Sequence, residues 1–186
     1  MLIVNIFGAP GAGKSTYAAR LYSELKVLGI ETELVREVAK QYVYDGTLGY
    51  RPQMRILDEA VEQIESLHSS VEVVVSDSPV LLSVIYAKDE VAYITQKAKR
   101  YHYSRPSFNY MMCLGTDEEY STRGRIHSHS EALKIEDKII RTIRDEIVGT
   151  FYCSWGLEKA IEHVKNTAEE IENVLNWDNL YSRASR

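Results

Sequence analysis

Residues 8–16 read GAPGAGKST and follow directly on the apolar run MLIVNIF at residues 1–7. A buried strand that breaks into a glycine-rich turn and restarts as a helix aims several backbone N–H groups at one point. The glycines let the loop turn tightly, and the positive end of the following helix adds to the field, so the stretch is built to grip an anion. Gly8, Gly13, Lys14 and Ser15 occupy every fixed position of the P-loop pattern. Lys14 is then placed to reach the β- and γ-phosphates of a nucleotide, and Ser15 to ligate Mg²⁺. The expected contacts of the phosphate chain are Gly8, Pro10, Gly11, Ala12, Gly13, Lys14, Ser15 and Thr16. What the loop leaves open is the destination of the phosphate: water, another protein or a small acceptor.

The rest of the chain sets bounds on that choice. Its 186 residues suffice for one domain, taken as residues 1–186. It is 45% hydrophobic and 26% charged, with a formal net charge of −5. A dedicated nucleic-acid binder carries a basic excess, so the overall balance argues against one while leaving room for a local basic patch. Cys113 and Cys153 are too few for a disulfide framework and match no metal-ligand spacing, and buried, reduced thiols of a cytoplasmic protein are expected. No apolar run approaches the roughly 18–20 residues that cross a bilayer, so no membrane partner is expected. The N-terminal apolar residues run straight into the glycine loop without the charged start and cleavage site of a signal peptide.

Four apolar, β-branched runs stand out, at Leu2–Phe7, Thr32–Val35, Val71–Val75 and Tyr110–Leu114. Between them, residues 14–28 space Tyr17, Leu21, Leu25 and Leu28 on a helical face, and residues 52–67 do the same with Ile56, Ala60, Ile64 and Leu67. Pro52 suits the first turn of that helix. Residues 130–148 predict an amphipathic helix capped by Ser130, with Leu133, Ile140, Ile143 and Ile147 inward. The tail reads either as one helix or, by preference, as a fifth strand at Ile161–Val164, a turn at Asn166 and a helix with a capping box at Thr167 and Glu170. Strands alternating with helices predict an α/β fold: one five-stranded parallel sheet flanked by helices, of the P-loop NTPase type.

Two acids are delivered to the carboxyl edge of that sheet, where ligands collect in open α/β folds. Asp77 ends the third strand and is the candidate for the magnesium shell beside Ser15; the plainer reading is a cap on a helix beginning near Pro79. Glu37 follows the second strand and could take the proton of an attacking hydroxyl; the plainer reading is a surface glutamate in a helix first turn. Between residues 116 and 132 the run TDEEYSTRGRIHSHSEA brings Arg123 and Arg125 two residues apart, suited to neutralise a transferring phosphoryl group, or else to a solvated connection. His127 and His129 lack a third ligand for a metal.

This order of motifs resembles the nucleoside and nucleotide monophosphate kinases, nearest to the deoxynucleoside and thymidylate kinases and in particular to phage-type P-loop kinases. It covers nearly the whole chain, though only the P-loop is specific by itself. The resemblance implies ATP and Mg²⁺ as cofactors, a short arginine-bearing lid at about residues 116–130 with Arg123 and Arg125 over ATP, Glu37 as general base, and Arg36-Glu37 as the counterpart of an arginine–glutamate pair. It also implies that Gln53 reads an acceptor base, so Arg36 and Gln53 are the substrate-binding candidates. One departure stands: Ser76-Asp77-Ser78-Pro79 lacks the arginine that such kinases place after the acid, and Arg36, Arg51 or Arg55 would have to replace it.

The expected activity is therefore an ATP- and Mg²⁺-dependent transfer to a nucleoside-type acceptor, a deoxynucleoside or its monophosphate, with Lys14, Glu37, Asp77, Arg123 and Arg125 catalytic. One alternative is a kinase of hydroxymethylated pyrimidines within phage DNA, for which KAKRYHYSRPSFNY at residues 97–110 would be a basic, aromatic surface or merely a connection. A nucleotide-hydrolysing switch is the other; the absence of an Asn-Lys-x-Asp run weakens its GTPase form. The location implied is cytoplasmic, the host's if the chain is phage-encoded. Oligomeric state is open, a homodimer being one reading.

Overall fold

The structure is a computed structural model, and it describes residues 1–48, 53–68, 70–88, 90–115, 120, 126–146, 151–153 and 156–184. Five strands, β1 (Leu2–Phe7), β2 (Thr32–Val35), β3 (Val73–Ser76), β4 (Ser107–Met111) and β5 (Phe151–Cys153), form one sheet in the order β2-β3-β1-β4-β5. Every pairing is parallel. The helices are α1 (Lys14–Val27), α2 (Val38–Tyr44), α3 (Gln53–Glu65), α4 (Leu82–Tyr86), α5 (Val91–His102), α6 (His129–Glu146) and α7 (Leu157–Ala184).

Strand alternation sorts the core into two layers. Leu2, Val4 and Ile6 of β1, with Val73 and Val75 of β3, pack under Ala18, Leu21 and Leu25 of α1 and Ala160 and Val164 of α7. Ile3 and Phe7, with Val74 and Met111, turn the other way, onto Leu57 and Ile64 of α3, Ile94 of α5 and Ile139 of α6. Because both faces are covered, β1 and β3 read as nearly continuous apolar runs rather than alternating ones. The one polar break in β1 is Asn5, whose Nδ2 donates to Asn109 Oδ1 of β4 at 3.1 Å. The two residues are register partners, so a buried amide on each strand satisfies the other.

Several sequence expectations shift. β4 occupies Ser107–Met111 instead of Tyr110–Leu114, because its ladder must match β1, pairing Ile3 with Ser107 through Phe7 with Met111. Met112 N still donates to Phe7 O, and beyond that β1 has already turned into the glycine loop. β3 likewise begins at Val73, opposite Leu2. The fifth strand is Phe151–Cys153 and not Ile161–Val164; the latter lies in α7, which runs on through Asn166 and Thr167 without a turn. Ala160 and Val164 explain this, being four apart on the face that packs on the sheet.

In α6 the cap is Ser128, not Ser130. Its backbone N–H and Oγ both lie 2.8 Å from Glu131 Oε2, and its Oγ accepts from the Glu131 N–H. This is a capping box begun two residues earlier than expected. Ile143 faces inward as expected, together with Ala132, Ile135 and Ile139, whereas Leu133 and Ile140 are exposed and Ile147 lies outside the described residues. Leu28 ends α1 as its C-cap and is exposed as well. Residues 97–102 belong to α5 and are not a connection. Cys113, expected buried, is exposed, and the Cys153 side chain lies outside the described residues.

Candidate nucleotide site

The loop between β1 and α1 sits where the sheet's strand order diverges, β3 lying on one side of β1 and β4 on the other. That divergence opens the crevice in which ligands of open α/β sheets bind. Gly8 packs against the backbone of Met112 in the strand-end segment of β4. The loop closes through Ala12 N–H donating to Ala9 O, and Gly13, with φ 85°, is the N-cap of α1. Lys14 follows and lays its ammonium over the loop, donating to Ala9 O at 3.0 Å. Gly13, Ser15 and Thr16 are exposed, Pro10 and Gly11 half-covered and Ala12 buried, so one flank of the loop is open to a ligand and the tip is covered.

The tip is covered by Tyr120. A β-carbon placed on Gly11 would lie 2.4 Å from Tyr120 Cε2 and 2.9 Å from Cδ2, so the ring rests on bare backbone. Gly11 also has φ 94°, a conformation that L side chains rarely adopt. The fourth position of the P-loop pattern tolerates any residue, so glycine here answers to local geometry and not to the motif.

The two acids converge on the same edge. Asp77 is 3% exposed, and its Oδ1 has no hydrogen-bond partner among the described residues. Its backbone N–H donates to Val35 O, fastening the end of β3 to the end of β2. It caps no helix near Pro79, since α4 begins at Leu82 with Leu81 at its N-cap position. Glu37 takes the N-cap position of α2 but makes no side-chain capping bond, and it is half-buried rather than fully exposed. Burial lifts its carboxyl above the ordinary glutamate range; Lys14 pulls it down, Asp77 pushes it up, and Lys40 and His127 pull it down more weakly. Lys14, Asp77, Lys40 and His127 therefore all act on the Glu37 carboxyl. Tyr86, 36% exposed at the end of α4, joins them: desolvation of its hydroxyl and then the Glu37 charge push that hydroxyl above its usual range.

The other candidates are placed less centrally. Arg36 is exposed and Gln53 is half-buried as the first residue of α3; no described contact brings either to the acids. Arg55 is engaged at the surface with Glu59, 2.8 Å away. Arg51, Arg123 and Arg125 lie outside the described residues, as does most of the expected lid. No motif in the sequence marks Tyr86 or Tyr120. Tyr120 stands inside a segment read for its arginines, and nothing in a lone tyrosine beside charges marks it as a contact of the P-loop.

A magnesium ion fits the residues present. The unpartnered Asp77 oxygen and the exposed Ser15 hydroxyl would be the sparse donor set suited to an ion that takes its remaining ligands from phosphate and water. No cluster of three or more His, Cys, Asp or Glu side chains able to hold a metal by themselves occurs among the described residues. No described helix is long and apolar enough to cross a membrane.

A parallel sheet with a P-loop after its central strand and an acid at the end of the neighbouring one defines a nucleotide-binding α/β protein of the P-loop NTPase fold. A family model described as AAA domain matches residues 3–151, and the chain belongs to that family. No curated protein matches it. Among solved structures, deoxyadenosine kinase from M. mycoides with bound dATP is similar at 18% identity and a TM-score of 0.56, over 90% of this chain and 99% of that one. The same enzyme with the products dCMP and a flexible dCDP is similar at 18% identity and a TM-score of 0.51, over 91% and 99% of the two chains. At that identity the likeness is one of fold.

Proposed function

We propose that the chain is a phosphotransferase that moves the γ-phosphoryl group of ATP, with Mg²⁺, to a nucleoside-type acceptor. The observation that carries this reading is Glu37, a half-buried acid at the sheet edge in the field of Lys14 and Asp77, with its proton affinity raised by partial desolvation. A base of that kind takes a proton from an attacking hydroxyl and favours the step by about 10²–10⁴ where it is within reach. The fold shared with a deoxynucleoside kinase supports the same acceptor class.

In the proposed reaction the backbone N–H groups of the loop hold the β-phosphate, and Lys14 stabilises charge on the β- and γ-oxygens. The acceptor hydroxyl oxygen bonds to the γ-phosphorus, its proton passes to a Glu37 carboxylate oxygen, and ADP departs. Ser15 and Asp77 would hold Mg²⁺, which when bound neutralises phosphate charge. Arg123 and Arg125 keep the role the resemblance gives them, closing charge over the transferring group, with Gln53 and Arg36 as acceptor contacts.

Within this class the residues favour a deoxynucleoside over its monophosphate. A hydroxyl acceptor needs a base such as Glu37, whereas a phosphate acceptor needs cations, and the one expected after Asp77 is missing while Arg55 is already paired with Glu59. A hydroxymethylated pyrimidine within DNA draws little support from residues 97–110. Lys97 pairs with Asp58, and Arg105 makes a two-pronged pair with Glu65 at 2.6 and 2.8 Å, so two of its four cations are neutralised at home.

The test is ATP consumption with Mg²⁺ against the four deoxynucleosides, their monophosphates, and duplex DNA with and without hydroxymethylated pyrimidines, with Glu37→Gln as control. Stimulation by a deoxynucleoside that vanishes in the control is the expected result. Turnover indifferent to every acceptor would overturn the reading in favour of a nucleotide-hydrolysing module.

A further inference from the structure

Tyr120 is tied to three places at once. Its ring rests on the α-carbon face of Gly11 at the tip of the P-loop. Its hydroxyl donates to the carbonyl of His127 at 3.0 Å. The ring also packs at 5.2 Å, tilted by 52°, against His129 in the first turn of α6. That helix start is itself anchored to the strand-end segment of β4, since His129 Nε2 lies 3.2 Å from Gly115 O and Glu136 accepts from the Leu114 N–H at 2.7 Å. One aromatic side chain thus joins the phosphate loop to the start of α6, and the residue its hydroxyl holds, His127, lies within the field of Glu37.

We propose that Tyr120 is a positioning residue for phosphoryl transfer, its ring fixing the tip of the P-loop and its hydroxyl fixing the backbone at His127 on the acceptor side. The two parts of the side chain then act on different steps. The ring excludes water from the tip and holds the turn Pro10-Gly11-Ala12 in the form that presents N–H groups to the β-phosphate. The hydroxyl, through His127, sets how the far wall of the site stands beside Glu37. The second half of this assignment rests on the kinase reading above; the first does not.

The experiment compares the native protein with Tyr120→Phe and Tyr120→Ala. Affinity for MgATP is read by calorimetry, acceptor-dependent turnover by ADP release, and folding by the far-UV dichroism melt. Removing the ring weakens MgATP about tenfold, the size of a well-packed aromatic contact. Removing only the hydroxyl leaves MgATP affinity within about twofold and lowers acceptor-dependent turnover about fivefold, the size of one lost hydrogen bond. Native MgATP affinity in Tyr120→Ala would overturn the proposal, as would equal loss of affinity in the two variants. Should Tyr120→Ala fail to fold, Tyr120→Phe decides: native turnover at native affinity, or lost affinity, overturns it. If the native protein shows no acceptor-dependent turnover, the kinase reading falls, and the affinity of the two variants still decides whether the ring sets the P-loop.

Discussion

Asp77→Asn should make the protein more stable and less active, and the sizes of both effects follow from one atom. Asp77 is 3% exposed, and its Oδ1 finds no partner among the described residues. A buried polar atom left unpaired costs about 1–3 kcal/mol, more when it belongs to a charged group. An amide has the same shape and keeps one polar oxygen, but it sheds the charge, so the folded protein gains about 1–2 kcal/mol. For a chain of this length each kcal/mol moves Tm by about 2–4 °C, which predicts a rise of about 2–8 °C in thermal denaturation without nucleotide. The same substitution removes the carboxylate assigned to Mg²⁺, and turnover should fall by about 100-fold or more. MgATP should then raise the melting temperature of the native protein more than that of the variant, crossing or closing the gap between them. A second signature comes from Glu37, whose carboxyl is pushed up in part by the Asp77 charge, so any pH limb set by Glu37 should move down in the variant. A variant that melts below the native protein would refute the reasoning, since it would mean that the carboxylate satisfies a structural partner.

Three further outcomes are expected. Glu37→Gln should lower acceptor-dependent turnover about 10²–10⁴-fold; in the native protein the rate should rise with pH to an apparent pKa above the ordinary glutamate value, because burial raises it and only the ionised form is a base, and a limb at the ordinary value would count against burial as the cause. Gly11→Ala places a β-carbon 2.4 Å from the Tyr120 ring on a left-handed backbone, which alone costs about 1–2 kcal/mol, so MgATP affinity measured by calorimetry should drop about tenfold or more, and adding Tyr120→Ala should change it little further, because the new methyl has already displaced the ring. His102 is buried, and desolvation pushes its imidazole down to about 4 from 6.5, so the unfolded chain binds its proton first and stability is lost as pH falls between those values; His102→Phe should flatten that part of the urea-midpoint profile, and an unchanged slope would show that the ring titrates elsewhere.

The parts of the fold legible in the sequence were those whose signal is local. Leu2–Phe7 is a run with a terminating glycine, and it is a strand at those bounds. Gln53–Glu65 carries a 3.6-residue apolar stripe, with Ile56 and Ile64 buried as expected. The misplaced elements are those whose limits are set by a partner. β4 starts at Ser107 because Ile3 lies opposite, and a polar Ser-Phe-Asn start reads as loop until its neighbour is known. The Asn5–Asn109 pair shows the same limit, as each asparagine alone argues against a buried strand and together they satisfy one another. The tail misleads because Thr167 and Glu170 form a capping pattern that nothing obliges a chain to use. A helix already docked through Ala160 and Val164 propagates past such a signal at little cost, since each further residue adds a bond without a new nucleus.

The candidate site divides along the same line. Lys14 and Ser15 belong to one contiguous motif, and Asp77 and Glu37 each follow an apolar strand, so topology carries them to the carboxyl edge with no knowledge of contacts. What sequence could not supply is which charges feel one another. Glu37 differs from a surface glutamate in the burial that raises its proton affinity and in its exposure to Lys14, Asp77 and His127, residues 23, 40 and 90 positions away. The same applies with more force to Tyr120, whose meaning resides in Gly11, 109 positions earlier. A P-loop defines an anion site by itself, whereas transfer to an acceptor requires a base held dry beside it and a far wall held in register. On the proposed reading Glu37 and Tyr120 would meet those two requirements through long-range contacts, and the destination of the phosphate is then a property of the folded site.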